Sequence, residues 1–283
     1  MNFTKMHGAG NDFIILEKQN IGDLGYSNLA KAICNRHFGV GSDGLMIVDK
    51  SDVADVKMIF YNADGSIAEM CGNGIRCFSK YVYDNDIVKS ETFTVETLAG
   101  IKKIKVSIKN DEIDKILVEM GKPSLNSQDV PVKTDKEKFI NEKIIISSQE
   151  FNVSSILMGV PHTVIFVSDL DDDLINKIGP IIEKHDIYPK KTNVNFVKIL
   201  SRAKIIVNTW ERGVGRTLAC GTGVCASVYI AKLLNFVDNI VEVEVPGGTL
   251  NIYIDKNDNV FMEGRAEFIC SGKYYYKDYL KNF

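Results

Sequence analysis

A chain of 283 residues is long enough for two ordinary domains and short for three, because single hydrophobic cores stop growing at about 250–300 residues. Hydrophobic residues at 45%, charged residues at 25% and aromatics at 9% are average globular values, which exclude a disordered or collagen-like chain. A net charge of −3 offers no overall positive field, so neither nucleic acid nor a membrane surface is expected as a partner.

The opening segment, MNFTKMHGAGNDF, has no basic stretch followed by an apolar run, and no stretch of about 18 apolar residues follows anywhere; a cytoplasmic protein is expected. Along the chain, apolar or alternating runs bounded by turn residues predict short strands. In the first half these are 13–16, 45–48, 56–60, 101–108 and 116–119. In the second they are 144–146, 163–167, 196–199, 204–209, 241–245 and 250–254. Helical spacing puts Ile75, Phe78 and Val82 on one face of a first central helix, and Val224, Val228, Ala231 and Leu234 on that of a second. Further helices are expected at 28–36 and 174–185. The polar stretch 123–143 reads as a linker, and the aromatic tail 274–279 as a strand finishing the first domain.

The chain reads as a duplication. Tyr61 to Cys77, YNADGSIAEMCGNGIRC, lies over Trp210 to Ala226, WERGVGRTLACGTGVCA, with Cys71 on Cys220, Gly72 on Gly221 and Gly74 on Gly223 at an offset of 149. HGAGNDFIIL from His7 lies over MGVPHTVIFV from Met158, and GSDGLMIV from Gly41 over TNVNFVKI from Thr192, both at 151. The glycines at 100 and 248, each opening a β-like run, match at 148. Four collinear matches argue for two copies of one design.

Six cysteines, Cys34, Cys71, Cys77, Cys220, Cys225 and Cys270, would suggest disulfides in a small secreted domain. At this length, and at about 2% of the chain, they read as reduced thiols. No CxxC or HxxxH spacing is present, and pairs six or five apart diverge by well over about 90° on a helix, so no metal site is expected. Each cysteine is then either a small buried hydrophobe or an activated thiol.

Cys71 and Cys220 stand just ahead of Gly-x-Gly and a helix. There the helix dipole and its unpaired N–H groups favour negative charge and lower a thiol pKa. The glycines let the backbone approach an anion, and the N–H groups of Gly72, Asn73, Gly221 and Thr222 can meet a carboxylate. If the halves pack about a pseudo-twofold axis, two thiols face one another across the ligand. That arrangement suits removal of a proton from one face of a carbon and delivery of one to the other, with no cofactor. Neither a dinucleotide fingerprint nor a P-loop appears.

Through KMHGAGNDF, YNADGS, CGNGIRC, MGVPHT, NVNF, ERGVGRTLACGTG and PGG, the sequence resembles the diaminopimelate epimerases, pyridoxal-phosphate-independent amino-acid racemases and epimerases. The resemblance covers essentially the whole chain, and the CGNG and ACGTG elements are its most specific part. It implies an α+β fold of two similar pseudo-symmetric domains, each a β-barrel-like sheet around a central helix, with the active site at the domain interface. The domains would be 1–118, with 265–283 returning to it, and 119–264. The implied activity is cofactor-independent isomerisation of LL-2,6-diaminopimelate to the meso form, for lysine and peptidoglycan synthesis, by a cytoplasmic homodimer. Residue by residue, Cys71 and Cys220 match the catalytic acid and base, and His162 and Glu211 positions that support them. Asn11, Asn62, Asn193, Glu211 and Arg212 match substrate contacts. Arg212 also has a physical rationale, since a guanidinium pairs with a carboxylate at two points.

Two positions depart from the pattern. Val160 stands where an asparagine is usual before Pro-His, and Gly44 where glutamine is common. A missing buried hydrogen bond is worth about 1–3 kcal/mol, enough to shift specificity between related substrates. A racemase of another amino acid such as histidine is therefore the alternative within the same chemistry. A thiol redox sensor is the alternative from another class, but it gives no reason for the glycines or Arg212. Cys34, Cys77, Cys225 and Cys270 are assigned to packing, as is Trp210, and Asp171 to Asp173 to a charged helix start.

Overall fold

A computed structural model describes residues 1–22 and 24–276. The chain divides into two compact units, Met1–Val118 with Gly264–Phe283, and Glu119–Glu263.

The first unit runs β1 (Asn2–Gly8), β2 (Asn11–Glu17), α1 (Tyr26–Ile33), β3 (Gly44–Asp49), β4 (Val56–Asn62), α2 (Gly72–Asp84), β5 (Thr92–Thr97), β6 (Gly100–Lys109) and most of β7 (Glu112–Gly121). The second runs β8 (Glu142–Ile146), β9 (Gln149–Met158), β10 (Val160–Phe166), α3 (Asp172–Glu183), β11 (Asn193–Ser201), β12 (Lys204–Glu211), β13 (Gly215–Thr217), α4 (Gly221–Leu233), β14 (Ile240–Val245), β15 (Gly248–Ile254) and β16 (Val260–Gly264). β17 (Glu267–Lys273) belongs to the first unit.

Strand pairing repeats from one unit to the other. β1 and β2 form an antiparallel hairpin, α1 carries the chain to a parallel β3, β4 returns antiparallel, and α2 crosses to a parallel β5. In the second unit β9 and β10, α3, β11, β12, α4 and β14 do the same. Even the flanking strand is matched, β17 beside β1 and β8 beside β9, although β17 comes from the far end of the chain. Parallel neighbours require a long crossover, and the helices supply it.

The helices cover opposite faces of each sheet. In the first unit Ile14, Leu16, Leu45 and Ile47 pack with Leu29, Ala30 and Ile33 of α1. α2 lies on the other face against β1, β2, β3 and β6, so the sheet wraps around it. A strand covered on both faces reads as an unbroken apolar run, and Phe13 to Leu16 are all buried. In the second unit Ile175, Ile178 and Ile182 of α3 pack on Val194 and Phe196, and α4 takes the inner face against β9, β10, β11, β12 and β15.

Several expectations need correction. The stretch 123–143 lies inside the second unit and is no linker: Val130, Val132 and Phe139 are buried in the α3 core. Three apolar anchors suffice to hold a polar segment down, so its composition misled. The helices expected at 28–36 and 174–185 are Tyr26–Ile33 and Asp172–Glu183. The strand expected from the tail ends earlier, at Lys273; Tyr274 to Tyr276 form no strand, and 277–279 lie outside the described residues. Tyr274 and Tyr276 pack beside the α1 core.

Candidate active site

Cys71 is the N-cap of α2 and Cys220 that of α4, both in extended backbone conformation. Their carbonyls accept the first helical bonds, from Ile75 N and Val224 N at 2.8 and 2.9 Å. Each sulfur thus sits beside the turn whose N–H groups lack helical partners. Gly74 and Gly223, the second glycines of the two motifs, have a packing reason. A Cβ on Gly74 would come within 2.0 Å of Met46 Cε, and one on Gly223 within 2.3 Å of Asn195 Oδ1. Only glycine lets each helix start lie this low on its sheet.

In the first unit the Cys71 thiol donates to Asn11 Oδ1 at 3.6 Å. Asn11 Nδ2 donates to Asp43 Oδ2, and Asp43 is gripped by Arg36, which also forks onto Asp12 at 2.8 and 3.1 Å. Burial pushes the Asp12 carboxyl up, but the hydrogen bonds and charges of Arg36 and Lys5 outweigh it and hold it at about 2. Asn73 is buried and its Oδ1 accepts from Arg76, which is itself buried and donates to the Gly72 carbonyl at 3.0 Å. Asn62 heads the turn closed by Gly65, and its Nδ2 donates to Ser66 Oγ at 2.9 Å.

In the second unit Cys220 is buried, with its Sγ 3.5 Å from Thr222 Oγ1. His162 is wholly buried on β10, in register with Asn193 of β11. Burial, aided by the charge of Arg212, drives its imidazole pKa down to about 3. The ring is therefore neutral. Asn195 Nδ2 lies 3.2 Å from Nδ1; an amide nitrogen only donates, so Nδ1 accepts and Nε2 carries the hydrogen. Asn195 Oδ1 accepts from Thr209 Oγ1 at 3.0 Å. Asn193 spends its amide on protein groups, donating to Pro161 O at 3.0 Å and accepting from Arg212 N at 2.8 Å. The Arg212 guanidinium donates to Lys190 O, and Glu211 accepts from Thr217 Oγ1 at 2.7 Å.

The other cysteines divide as burial dictates. Desolvation pushes Cys34 up to about 11 and Cys77 up to about 12, and Cys225 is fully buried inside α4. Cys270 is only half-buried, on β17. Trp210 packs against the α3 core with its indole N–H on buried Glu183 at 2.8 Å. Asp171 caps α3 by accepting from Asp173 N. Among the described residues no group of three His, Cys, Asp or Glu side chains could hold a metal ion.

Sequence reasoning missed Asp43, Asn195 and Glu183. Glu183 holds Trp210 and also Gly213 N at 3.1 Å, fixing the turn that carries Glu211 and Arg212. A signal for Asn195 did exist: in NVNF, polar residues fall on alternate positions of an otherwise apolar strand, which marks a polar inner face. The two departures are packed rather than empty. At Gly44 a Cβ would come within 2.6 Å of the Phe60 ring and 2.8 Å of Tyr61 O. Val160 is half-buried and pairs with Met158 across the β9–β10 hairpin.

The fold built on these two helix ends is shared with solved structures of a probable proline racemase from Agrobacterium radiobacter, with a TM-score of 0.72 at 13% identity over 98% of this chain and 94% of that one. A hydroxyproline epimerase from Agrobacterium vitis gives 0.71 at 14% identity, over 96% and 91%. At sequence level, the profile of diaminopimelate epimerase matches residues 3–126 and 154–269. The diaminopimelate epimerase of Alkaliphilus metalliredigens is 48% identical over 97% of both chains, and that of Clostridium perfringens 47% over 97% of this chain and 99% of its own. The chain belongs to the diaminopimelate epimerase family.

Proposed function

We propose that this protein is an isomerase that converts LL-2,6-diaminopimelate to meso-diaminopimelate, and that it works with a pair of thiols. The observation that carries the mechanism is the matched placement of Cys71 and Cys220 at the N-caps of α2 and α4. One sulfur, as thiolate, takes the α-proton, and the other, as thiol, gives a proton to the opposite face, so each ends in the state the other began in. The chemistry demands that both reach one α-carbon. The developing carboxylate charge is met by the N–H groups of Gly72, Asn73, Gly221 and Thr222 at the helix starts. His162, neutral, and Glu211 support the acid and base, and Asn11, Asn62, Asn193 and Arg212 hold the substrate. The scheme calls for no cofactor.

The product serves lysine and peptidoglycan synthesis. We read the two compact units as two domains, 1–118 with 265–283 and 119–264, and the protein as a cytoplasmic homodimer; family membership supports the dimer. No helix among the described residues is long and apolar enough to cross a membrane, which accords with the cytoplasm. Light scattering tests the dimer.

Turnover of LL-diaminopimelate in deuterium oxide should place deuterium at the α-carbon as the meso form appears. Absence of exchange, or a larger kcat/KM for histidine, glutamate or lysine presented in parallel, would overturn the substrate assignment.

A further inference from the structure

We propose that Asp43 is a positioning residue for the Cys71 thiol, acting through Asn11; the inference rests on the reading of Cys71 as one of the two acid–base groups. The two ends of an asparagine amide are alike in shape and opposite in hydrogen bonding. Asn11 Nδ2 donates to Asp43 Oδ2 at 2.5 Å. A carboxylate only accepts, so Asp43 fixes which end of the amide turns toward it. The carbonyl end is left facing Cys71 Sγ, 3.6 Å away. That oxygen also only accepts, so it welcomes S–H and repels S⁻. Cys71 is thereby held as the proton-bearing thiol in the free protein. Cys220 has beside it the Thr222 hydroxyl at 3.5 Å, a group able to donate to a thiolate.

The carboxylate is itself held in place. Arg36 Nη2 donates to Asp43 Oδ1 at 2.8 Å, and Asp12 N to Asp43 Oδ2 at 3.2 Å. Asp43 N donates back to Asp12. Lys5 closes the ring on Asp12 at 3.0 Å and on Gly41 O at 2.7 Å. With Asp43 fixed on both oxygens, rotation of the Asn11 amide breaks its strongest bond. Other charged or titratable groups on the elements around α2 include His7 on β1, Glu17 on β2, which accepts from Tyr81 of α2, Arg76, Cys77 and the Lys80–Asp84 ion pair on α2 itself, and Lys102, on the same side of β6 as buried Ile104.

Site-resolved iodoacetamide alkylation of the free, full-length protein, followed by mass spectrometry from pH 6 to pH 10, tests this. In Asp43→Asn the Asn11 amide is released to turn its N–H toward sulfur. Cys71 should then alkylate about tenfold faster at pH 7, equivalent to about one unit in its pH profile, while Cys220 stays within about twofold of wild type. Removing a negative charge would speed Cys71 in the same direction without Asn11, so the decisive arm is the Asn11→Ala background. There Asp43→Asn should add nothing. An unchanged Cys71 profile in folded Asp43→Asn, or the same shift persisting in Asn11→Ala, overturns the proposal. Asp43→Ala, which leaves Asn11 Nδ2 no carboxylate to hold it, carries the same predictions if Asp43→Asn does not fold. Because alkylation needs no substrate, the positioning role and the epimerase reading can fail separately.

Discussion

The two units place a cysteine on the same helix start and cushion it differently. Beneath α2 the inner face of the sheet is apolar: Phe13, Met46 and Phe60 fill the space, and Cys71 has a polar partner in Asn11, backed by an ion-pair network at the sheet end. Beneath α4 the inner face is polar: Asn195 stands 151 residues after Gly44 and ties together His162, Thr163 and Thr209, all buried. His162 likewise stands 151 residues after Asn11. Duplication preserved the position of the thiol and of the glycine beneath the helix, while each copy acquired its own means of orienting hydrogen bonds.

The largest expected effect tests what the copies share. Cys71→Ala and Cys220→Ala should each lower kcat/KM for LL-diaminopimelate by about 10²- to 10⁴-fold, the usual worth of a positioned acid or base. Alanine at Cys77 or Cys225 should alter stability and leave turnover within a few-fold. Full activity in either of the first two variants breaks the equivalence of the halves and the mechanism with it.

A second prediction sharpens the difference between them. His162 is held neutral, with its folded pKa depressed to about 3 from 6.5. Its folded form is favoured in full above the unfolded pKa. As pH falls below about 6.5 the unfolded chain takes up a proton that the folded one refuses, so stability drops by up to about 1.4 kcal/mol per pH unit until pH 3. Urea denaturation at pH 8 and pH 5 should show a loss of about 2 kcal/mol that His162→Asn largely abolishes. The carboxylates held low, such as Asp12, act below that window. An equal loss in His162→Asn would mean that the imidazole is not held neutral in the folded state.

What the amino-acid order reveals depends on how local each cause is. β2 and β3 are legible because sheet faces covered on both sides make apolar runs, α2 because one stripe of it is apolar, and α4 because it is apolar and buried nearly all round from Gly223 to Ala231. β9 is hidden because it buries Ser154 and Ser155, whose hydroxyls meet Asn141 N and Tyr188 Oη; a polar residue satisfied from a distant segment looks like loop until its partner is known. The two N-cap cysteines are legible through a short motif with a helix behind it. Asp43 and Asn195 are not, since their meaning lies in partners 32 and 33 residues away, Asn11 and His162. Gly44 and Val160 look like lost contacts in the sequence, whereas at Gly44 the Phe60 ring already occupies the room a side chain would need.

The smallest contrast comes from the feature both halves keep, a glycine two residues into each helix motif. In Gly74→Ala the new methyl meets the far end of Met46, an unbranched side chain that can move aside within the core. In Gly223→Ala it meets Asn195 Oδ1, which is bonded to Thr209 while the amide nitrogen serves His162. Methionine can yield by a rotamer, but Asn195 cannot yield without giving up buried hydrogen bonds. Overpacking costs about 1–3 kcal/mol, so Gly74→Ala should lie near the low end and Gly223→Ala near the high end, a difference of about 1–2 kcal/mol in urea denaturation. Gly223→Ala should also disturb the His162 tautomer, read as a change in its ring resonances by NMR, and Gly74→Ala should not. Equal destabilisation with unchanged His162 resonances would show that the polar cushion under α4 is as compliant as the apolar one under α2.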